Sequence, residues 1–322
     1  MKGVYQSHKR LAQLACVLFL LCALVFVLMS CASSSNGPNN PAPGSTNPGN
    51  PRNNSPEVLQ VSAPGEDVVE DAKAIMDYSN ISDGYIMVRS TLGNVKVKVL
   101  VTVDGKVYQY TIAGTDQYVT IPLTEGSNKT YSIGVWENLY GDMYSLIFSQ
   151  DISVALSDSF SPSLYPSQYV NFTAGDSAMQ LSQTLTNGVT SELEAINAIY
   201  TWVIKNITYD TDKALTVASG YLPNNANTIS TKTGICFDYA VLTVSMLRAQ
   251  RIPAKLVVGY AGTAYHAWIE VYSTETGKIH IYTFNGNAWV REVDPTFDAA
   301  GGRNDLASII GGGTNYQPMF YY

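Results

Sequence analysis

The stretch Thr233-Gly234-Ile235-Cys236-Phe237-Asp238-Tyr239-Ala240 decides how this chain is read. Gly234 permits a tight entry into a helix that Cys236 opens. Ala240, Val241, Val244 and Leu247 then recur at helical spacing and give that helix a buried stripe. The helix runs to Arg248 and stops at Arg251-Ile252-Pro253, because proline has no N–H to donate and disfavours a helical residue before it. Strand-like runs follow over 254–260, 265–272, 279–284 and 288–293, with Gly277 and Asn285-Gly286 as hairpin signals between them. One central helix followed by an antiparallel sheet is an α+β layout.

Cys236 is the only cysteine beyond position 31, so no disulfide is available within the folded part. Downstream lie Tyr265-His266-Ala267-Trp268-Ile269-Glu270 and Glu292-Val293-Asp294-Pro295-Thr296. A thiol, an imidazole and a carboxylate thus follow one another at spacings of 30 and 28 residues. A thiol attacks only as thiolate, and its free pKa of about 8.5 is too high at neutral pH. A helix N-terminus and a neighbouring imidazolium both favour the thiolate. Placing Cys236 at a helix start meets the first condition, and His266 on a strand is positioned to meet the second. The backbone N–H of Cys236 is a candidate oxyanion donor, and Asp294 would accept the other ring N–H of His266, fixing its tautomer.

Each residue also has a structural reading. A free cysteine is commonly a small buried hydrophobe, His266 fits a core histidine, and Asp294 fits the start of a turn. Asp238 reads as a first-turn acid favoured by the helix dipole, with its side chain turned away from the thiol. His280, between Ile279 and Ile281, reads as solvent-facing, and Trp268 and Trp289 as core or cleft wall. One cysteine and two histidines beyond residue 64 do not make a zinc site, so no catalytic metal and no cofactor are expected.

Upstream, residues 175–186 read as a helix. Ser191 with Glu194 forms a capping box before Leu193, Ile196, Ile199, Tyr200, Val203 and Ile207, a second amphipathic helix beneath the site. Residues 211–233 read as one long polar loop. Its place just before the thiol makes it a candidate wall of the substrate cleft. Residues 65–157 read as a small β-sandwich domain. Val95, Val97, Val99 and Val101 alternate with Lys96 and Lys98, and Asp104-Gly105 turns the chain into a second strand. This domain carries no titratable cluster and reads as a spacer or packing partner; Trp136, Tyr140 and Tyr144 are its one aromatic group. Residues 158–172, with their Ser-Pro and Tyr-Pro steps, cross into the domain spanning 158–322.

The N-terminal part is of another kind. Residues 1–10 are basic and 11–29 are apolar save for Gln13, which is the pattern of a secretory signal or a signal anchor. Leu28-Met29-Ser30-Cys31 resembles a bacterial lipoprotein cleavage box, in which Cys31 becomes the lipidated first residue; an uncleaved anchor is the alternative. Both place the remainder outside the cytoplasm, tethered to the membrane and facing the extracellular side. Residues 32–64, dominated by Pro, Asn, Ser and Gly, read as a disordered tether. Lys2, Lys9 and Arg10 precede Cys31 and no acid does, which leaves 16 basic against 26 acidic residues from Cys31 onward. That balance argues against nucleic acid as a partner.

The ordered set Gly234-x-Cys236-x-Asp238-Tyr239-Ala240, Arg251-Ile252-Pro253-Ala254, Val258-Gly259-Tyr260, His266-Ala267-Trp268-x-Glu270-Val271, Trp289 and Val293-Asp294-Pro295-Thr296 resembles the core of the transglutaminase-like superfamily, a branch of the papain-like thiol enzymes. The upstream Ile199-Tyr200-x-Trp202-Val203 and Ile207-Thr208-Tyr209-Asp210 fit as well, so the resemblance spans about residues 162–298. It implies a Cys-bearing helix packed on an antiparallel sheet. Cys236 would be the nucleophile, His266 the base and acid, and Asp294 the orienting partner. An upstream side chain often completes the oxyanion hole in such families, and Tyr209 is a candidate. The implied activity is acyl transfer at peptide or glutaminyl amides of cell-envelope or extracellular proteins: peptidase or deamidase if water is the acceptor, transglutaminase if an amine is. The rival reading is a non-catalytic binding or structural module that keeps the fold.

Overall fold

Valines at every second position from 97 to 103 bury one face of a strand, and a β-sandwich forms around them. In the computed structural model, which describes residues 50–113, 116–273, 277–279, 283–284, 289–290 and 316–322, β1 (Val68–Asp71), β2 (Ala74–Asp77), β3 (Tyr85–Ser90) and β6 (Val119–Pro122) make one antiparallel sheet in the order β1-β2-β3-β6. β4 (Lys96–Val103), β5 (Lys106–Ala113), β7 (Lys129–Tyr140) and β8 (Met143–Val154) make a second, in the order β5-β4-β7-β8. Val97, Val99, Val101 and Val103 are buried against Met76, Ile86, Val88 and Ile121 of the first sheet. Burying each contributes about 2 kcal/mol relative to exposure. Asp104 and Gly105 have φ of 50° and 77°, the pair of positive values that a two-residue hairpin needs. Trp136, Tyr140 and Tyr144 all lie at the β7–β8 hairpin end of this domain. Lys98 Nζ sits 4.4 Å from the Tyr144 ring centroid, and Tyr140 is exposed at the β7–β8 turn.

The second layer system begins with α1 (Ser177–Leu185) and α2 (Glu192–Asn206). The Ser191 side chain caps α2 by accepting from Glu194 N at 3.1 Å. β9 (Thr208–Tyr209) then pairs in parallel with β10 (Thr233–Gly234), closing the base of the intervening segment. That segment is not the single loop expected from its polarity. It folds into α3 (Thr211–Thr216), capped by Asp210, and α4 (Asn225–Thr231), capped by Asn224. Polar side chains that cap and bridge replace the apolar periodicity that would have announced these helices.

α5 (Cys236–Ala249) follows, and it departs from the expected stripe. Every residue from Asp238 to Ala249 is buried. The helix is enclosed all round, with α1, α2 and α4 on one side and the sheet on the other, so sidedness in its sequence is weak. The sheet has the order β13-β12-β11-β16, built from β11 (Ala254–Ala261), β12 (Ala264–Ser273), β13 (Gly277–Ile279) and β16 (Tyr316–Tyr321), all antiparallel. β14 (Thr283–Phe284) pairs with β15 (Trp289–Val290). The expected Cys-bearing helix on an antiparallel sheet is therefore present, preceded by a β-sandwich.

Two further features tie the chain together. Among residues 50–64 the expected tether is instead an extended strap on the core. Arg52 N donates to Val189 O at 2.7 Å, Glu57 N to Ala249 O at 2.8 Å, and Gln250 Nε2 to Asn54 O at 3.1 Å. The last two satisfy a carbonyl and an amide at the end of α5, where the helix leaves carbonyls without internal partners. The sandwich is joined to the core by Thr124 Oγ1 donating to Tyr321 O at 2.5 Å and Gln168 Nε2 to Thr111 O at 2.7 Å. Aromatic packing of Tyr108 on Phe320 and of Tyr110 on Tyr322 completes the seam. Among the described residues no helix is long and apolar enough to cross a membrane. The apolar run 11–29 and Cys31 lie outside those residues.

Candidate active site

Cys236 is the first residue of α5 and is neither paired in a disulfide nor fully buried. Ile235 precedes it in extended conformation as the N-cap, and an isoleucine has no side-chain acceptor for the first-turn N–H groups. Only the reverse half of a capping box forms: Asp238 Oδ2 accepts from Ile235 N at 2.8 Å. Asp238 turns back far enough to do this because Gly234 has no side chain. A Cβ there would lie 2.7 Å from the Asp238 Cβ. The glycine that sequence reasoning assigned to tight entry thus makes room for the carboxylate.

His266 sits on β12, opposite Gly259 of β11, and its side chain is buried. Its ring stacks on Trp268, with centroids 6.3 Å apart and planes 17° from parallel, and Tyr316 lies beside both. Trp268 is buried, which matches the core reading of the two expected for it, and its ring lies beside the imidazole. Cys236 and His266, thirty positions apart, line one cavity of about 440 Å³, within the range of small-molecule and peptide pockets. Asp294, the third expected member, lies outside the described residues, as do His280 and the side chain of Trp289. Tyr209, the upstream candidate, lines the same cavity. Among the described residues no group of three His, Cys, Asp or Glu side chains is placed to hold a metal.

The rest of the wall is uncharged, and Tyr169, Tyr221, Phe237, Tyr265 and Tyr322 make much of it aromatic. Burial raises the Tyr169 hydroxyl to about 12 and raises that of Tyr265, whose neighbours Tyr260 and Cys236 add to the effect. These phenols therefore stay neutral at physiological pH. Tyr169 packs on Tyr322, with ring centroids 4.5 Å apart and planes tilted by 56°, and on Tyr110 of β5, so the sandwich contacts the cleft wall.

Sequence reasoning missed Lys213. Its Nζ donates to Asp238 Oδ2 at 2.7 Å and to Tyr221 OH at 2.7 Å, while Tyr221 OH donates to Asp238 Oδ1 at 2.5 Å. Burial alone would lower the Lys213 pKa, but the bonds to Asp238 and Tyr221 outweigh it and leave it above the ordinary lysine value. The same segment contributes Ala214, Val217, Ala218 and Gly220 to the cavity wall. The expected wall role of 211–233 is thus met by α3 and the turn after it. A lysine and a tyrosine lying 25 and 17 positions before Asp238 leave no local pattern to read.

Residues 179–295 match the family described as the Transglutaminase-like superfamily. The chain therefore carries a transglutaminase-like core domain, and the match lies inside the span of the sequence resemblance. The chain is 36% identical over 88 residues to the UPF0252 protein MJ1282 of Methanocaldococcus jannaschii, covering 24% of this chain and 25% of that protein. The chain thus spans about a quarter of that relative's length. The periplasmic domain of TgpA from Pseudomonas aeruginosa is similar at 16% identity and a TM-score of 0.36, over 79% of this chain and 81% of that one. The fn3 domain of the human collagen alpha-1(XX) chain is similar at 17% identity and a TM-score of 0.22, over 30% of this chain and 93% of that domain.

Proposed function

We propose that this is an exported, membrane-tethered thiol enzyme that transfers the acyl group of a peptide or glutaminyl amide through a thioester on Cys236. The observation that carries the reading is the meeting of Cys236, at a helix tip, and His266, on the sheet beneath, in the wall of one cavity. The Cys236 thiol gives its proton to the imidazole, and the sulfur adds to the amide carbonyl carbon. The helix N-terminus stabilises the negative charge that builds on the carbonyl oxygen. The C–N bond then breaks, His266 delivers the proton to the departing amine, and a thioester remains. Water or an amine next adds to that carbonyl, losing a proton to His266, and the C–S bond breaks to regenerate the thiol. In this reading Asp294 holds the second ring nitrogen of His266 and stabilises the imidazolium. Tyr209 is the candidate side chain beside the oxyanion.

The acceptor decides the outcome, and the neutral aromatic wall favours exclusion of bulk water from the sulfur. The full chain is incubated with a glutamine-bearing peptide, with and without a primary amine, and the products are weighed. Exchange of ammonia for the amine, replacement of amide by acid, or backbone cleavage identifies transglutaminase, deamidase or peptidase respectively. No change in any peptide tried, with a folded protein, would favour the non-catalytic module. For the anchor, incorporation of labelled fatty acid that is lost in Cys31→Ala supports lipidation. Its absence, with the apolar N-terminus retained in the mature mass, would support the uncleaved anchor. Cell-envelope proteins are the substrates such a tether would present.

A further inference from the structure

Asp238 is fully buried, in the same first helical turn as Cys236, and the acyl-transfer reading makes no use of it. A carboxylate there shares the favourable dipole with the sulfur but opposes its negative charge. The structure answers with three donors: Ile235 N from the helix entry, and Lys213 Nζ and Tyr221 OH from the segment that walls the cleft. Lys213 Nζ also lies 4.4 Å from the centroid of the Tyr221 ring, so the two side chains pack against each other as well as sharing Asp238. Both belong to the stretch that contributes Ala214, Val217, Ala218 and Gly220 to the cavity.

We infer that Lys213 and Tyr221 are positioning residues for the reaction: by clasping Asp238 they neutralise a carboxylate in the same helical turn as the Cys236 sulfur and pin the segment that walls the cleft. Without the ammonium, Asp238 is an uncompensated buried anion two residues from Cys236 in the same helical turn, and the sulfur is harder to ionise. The inference rests on the acyl-transfer reading and adds to it two residues and a charge balance.

The test is the rate at which iodoacetamide labels Cys236 at mildly acid pH in the full chain. Wild type, Lys213→Met, Asp238→Asn and the double variant are compared, each checked for folding by circular dichroism. Lys213→Met should label about tenfold more slowly. Asparagine retains an oxygen for Ile235 N, so the double variant, with both charges gone, should return to within about threefold of wild type. A merely structural clasp would leave the double variant as slow as the single one, and that result overturns the inference. Lys213→Met labelling at the wild-type rate overturns it too. If Lys213→Met does not fold, Tyr221→Phe serves: it keeps the ring over Lys213 and removes one donor. It should be about threefold slower, and an unchanged rate overturns the inference. A wild-type thiol no faster than a free peptide thiol would instead remove the acyl-transfer reading, and this inference with it. A fast wild type that is indifferent to Lys213 removes this inference alone.

Discussion

The two ends of α5 each bury a charge, and they do it differently. At the C-terminal end Arg248 is buried and donates to three carbonyls: Ala254 O at 2.9 Å, Tyr165 O at 2.7 Å and Tyr322 O at 3.0 Å. Those carbonyls come from β11, from the crossing between the two regions and from the residue that follows β16. One guanidinium therefore joins three parts of the chain. Burial lowers its pKa to about 9, which leaves it cationic at neutral pH. At the N-terminal end Asp238 is neutralised mainly by side chains of a wall that borders open space, beside a sulfur that is not fully buried. The first arrangement is made of backbone acceptors and is closed. The second is made of side chains and faces the cleft. One end serves the fold and the other the chemistry, and mutations at the two ends should separate accordingly.

The largest expected effect is at the reactive end. Cys236→Ala should lower acyl transfer by at least about a thousandfold while leaving the unfolding midpoint nearly unchanged. Residual turnover near wild type in the peptide assay would break the comparison. Arg248→Met should show the converse. It takes a donor from three carbonyls, two of the bonds being buried and one part-buried, and should destabilise the fold by about 3–5 kcal/mol, read from denaturant unfolding. A loss of activity with no loss of stability would assign Arg248 to the site instead.

The difference between the ends also explains what the sequence discloses. Val97 to Val103 announce their strand because burial repeats every second residue, and Asp104-Gly105 announces its turn because few residue pairs accept two positive φ values. Cys236 and His266 are legible because their chemistry is rare in this chain. Arg248, Lys213 and the strap at 50–64 are not. Each acts on partners far away in sequence, and a lysine in a polar stretch reads as a solvated side chain until a buried acid is found opposite it. The enclosure of α5 on all sides is hidden for a related reason: several distant elements cover it, and none of them marks its sequence.

A smaller effect is expected in alkali. The folded-state pKa of Lys213 lies above its unfolded value, so the folded state holds that proton more tightly. The resulting stability is fully present below the unfolded lysine pKa of about 10.4 and is lost as pH rises through the folded pKa. Wild type should therefore lose more stability than Lys213→Met between neutral pH and the alkaline range, measured as unfolding midpoints. Equal losses would contradict the clasp. The smallest effect is at the seam between the two regions. Thr124→Val removes the hydroxyl that donates to Tyr321 O and should cost about 1 kcal/mol with little change in peptide turnover.

The central claim is that an imidazole on the sheet activates a sulfur at the tip of a helix. Its most direct measurement is the iodoacetamide labelling rate of Cys236 at mildly acid pH, in wild type and in His266→Ala. Wild type should react on the order of tenfold to a hundredfold faster than a free peptide thiol, and the substitution should abolish that advantage. A sulfur that reacts at the peptide rate, or one whose rate is indifferent to His266, would contradict the account.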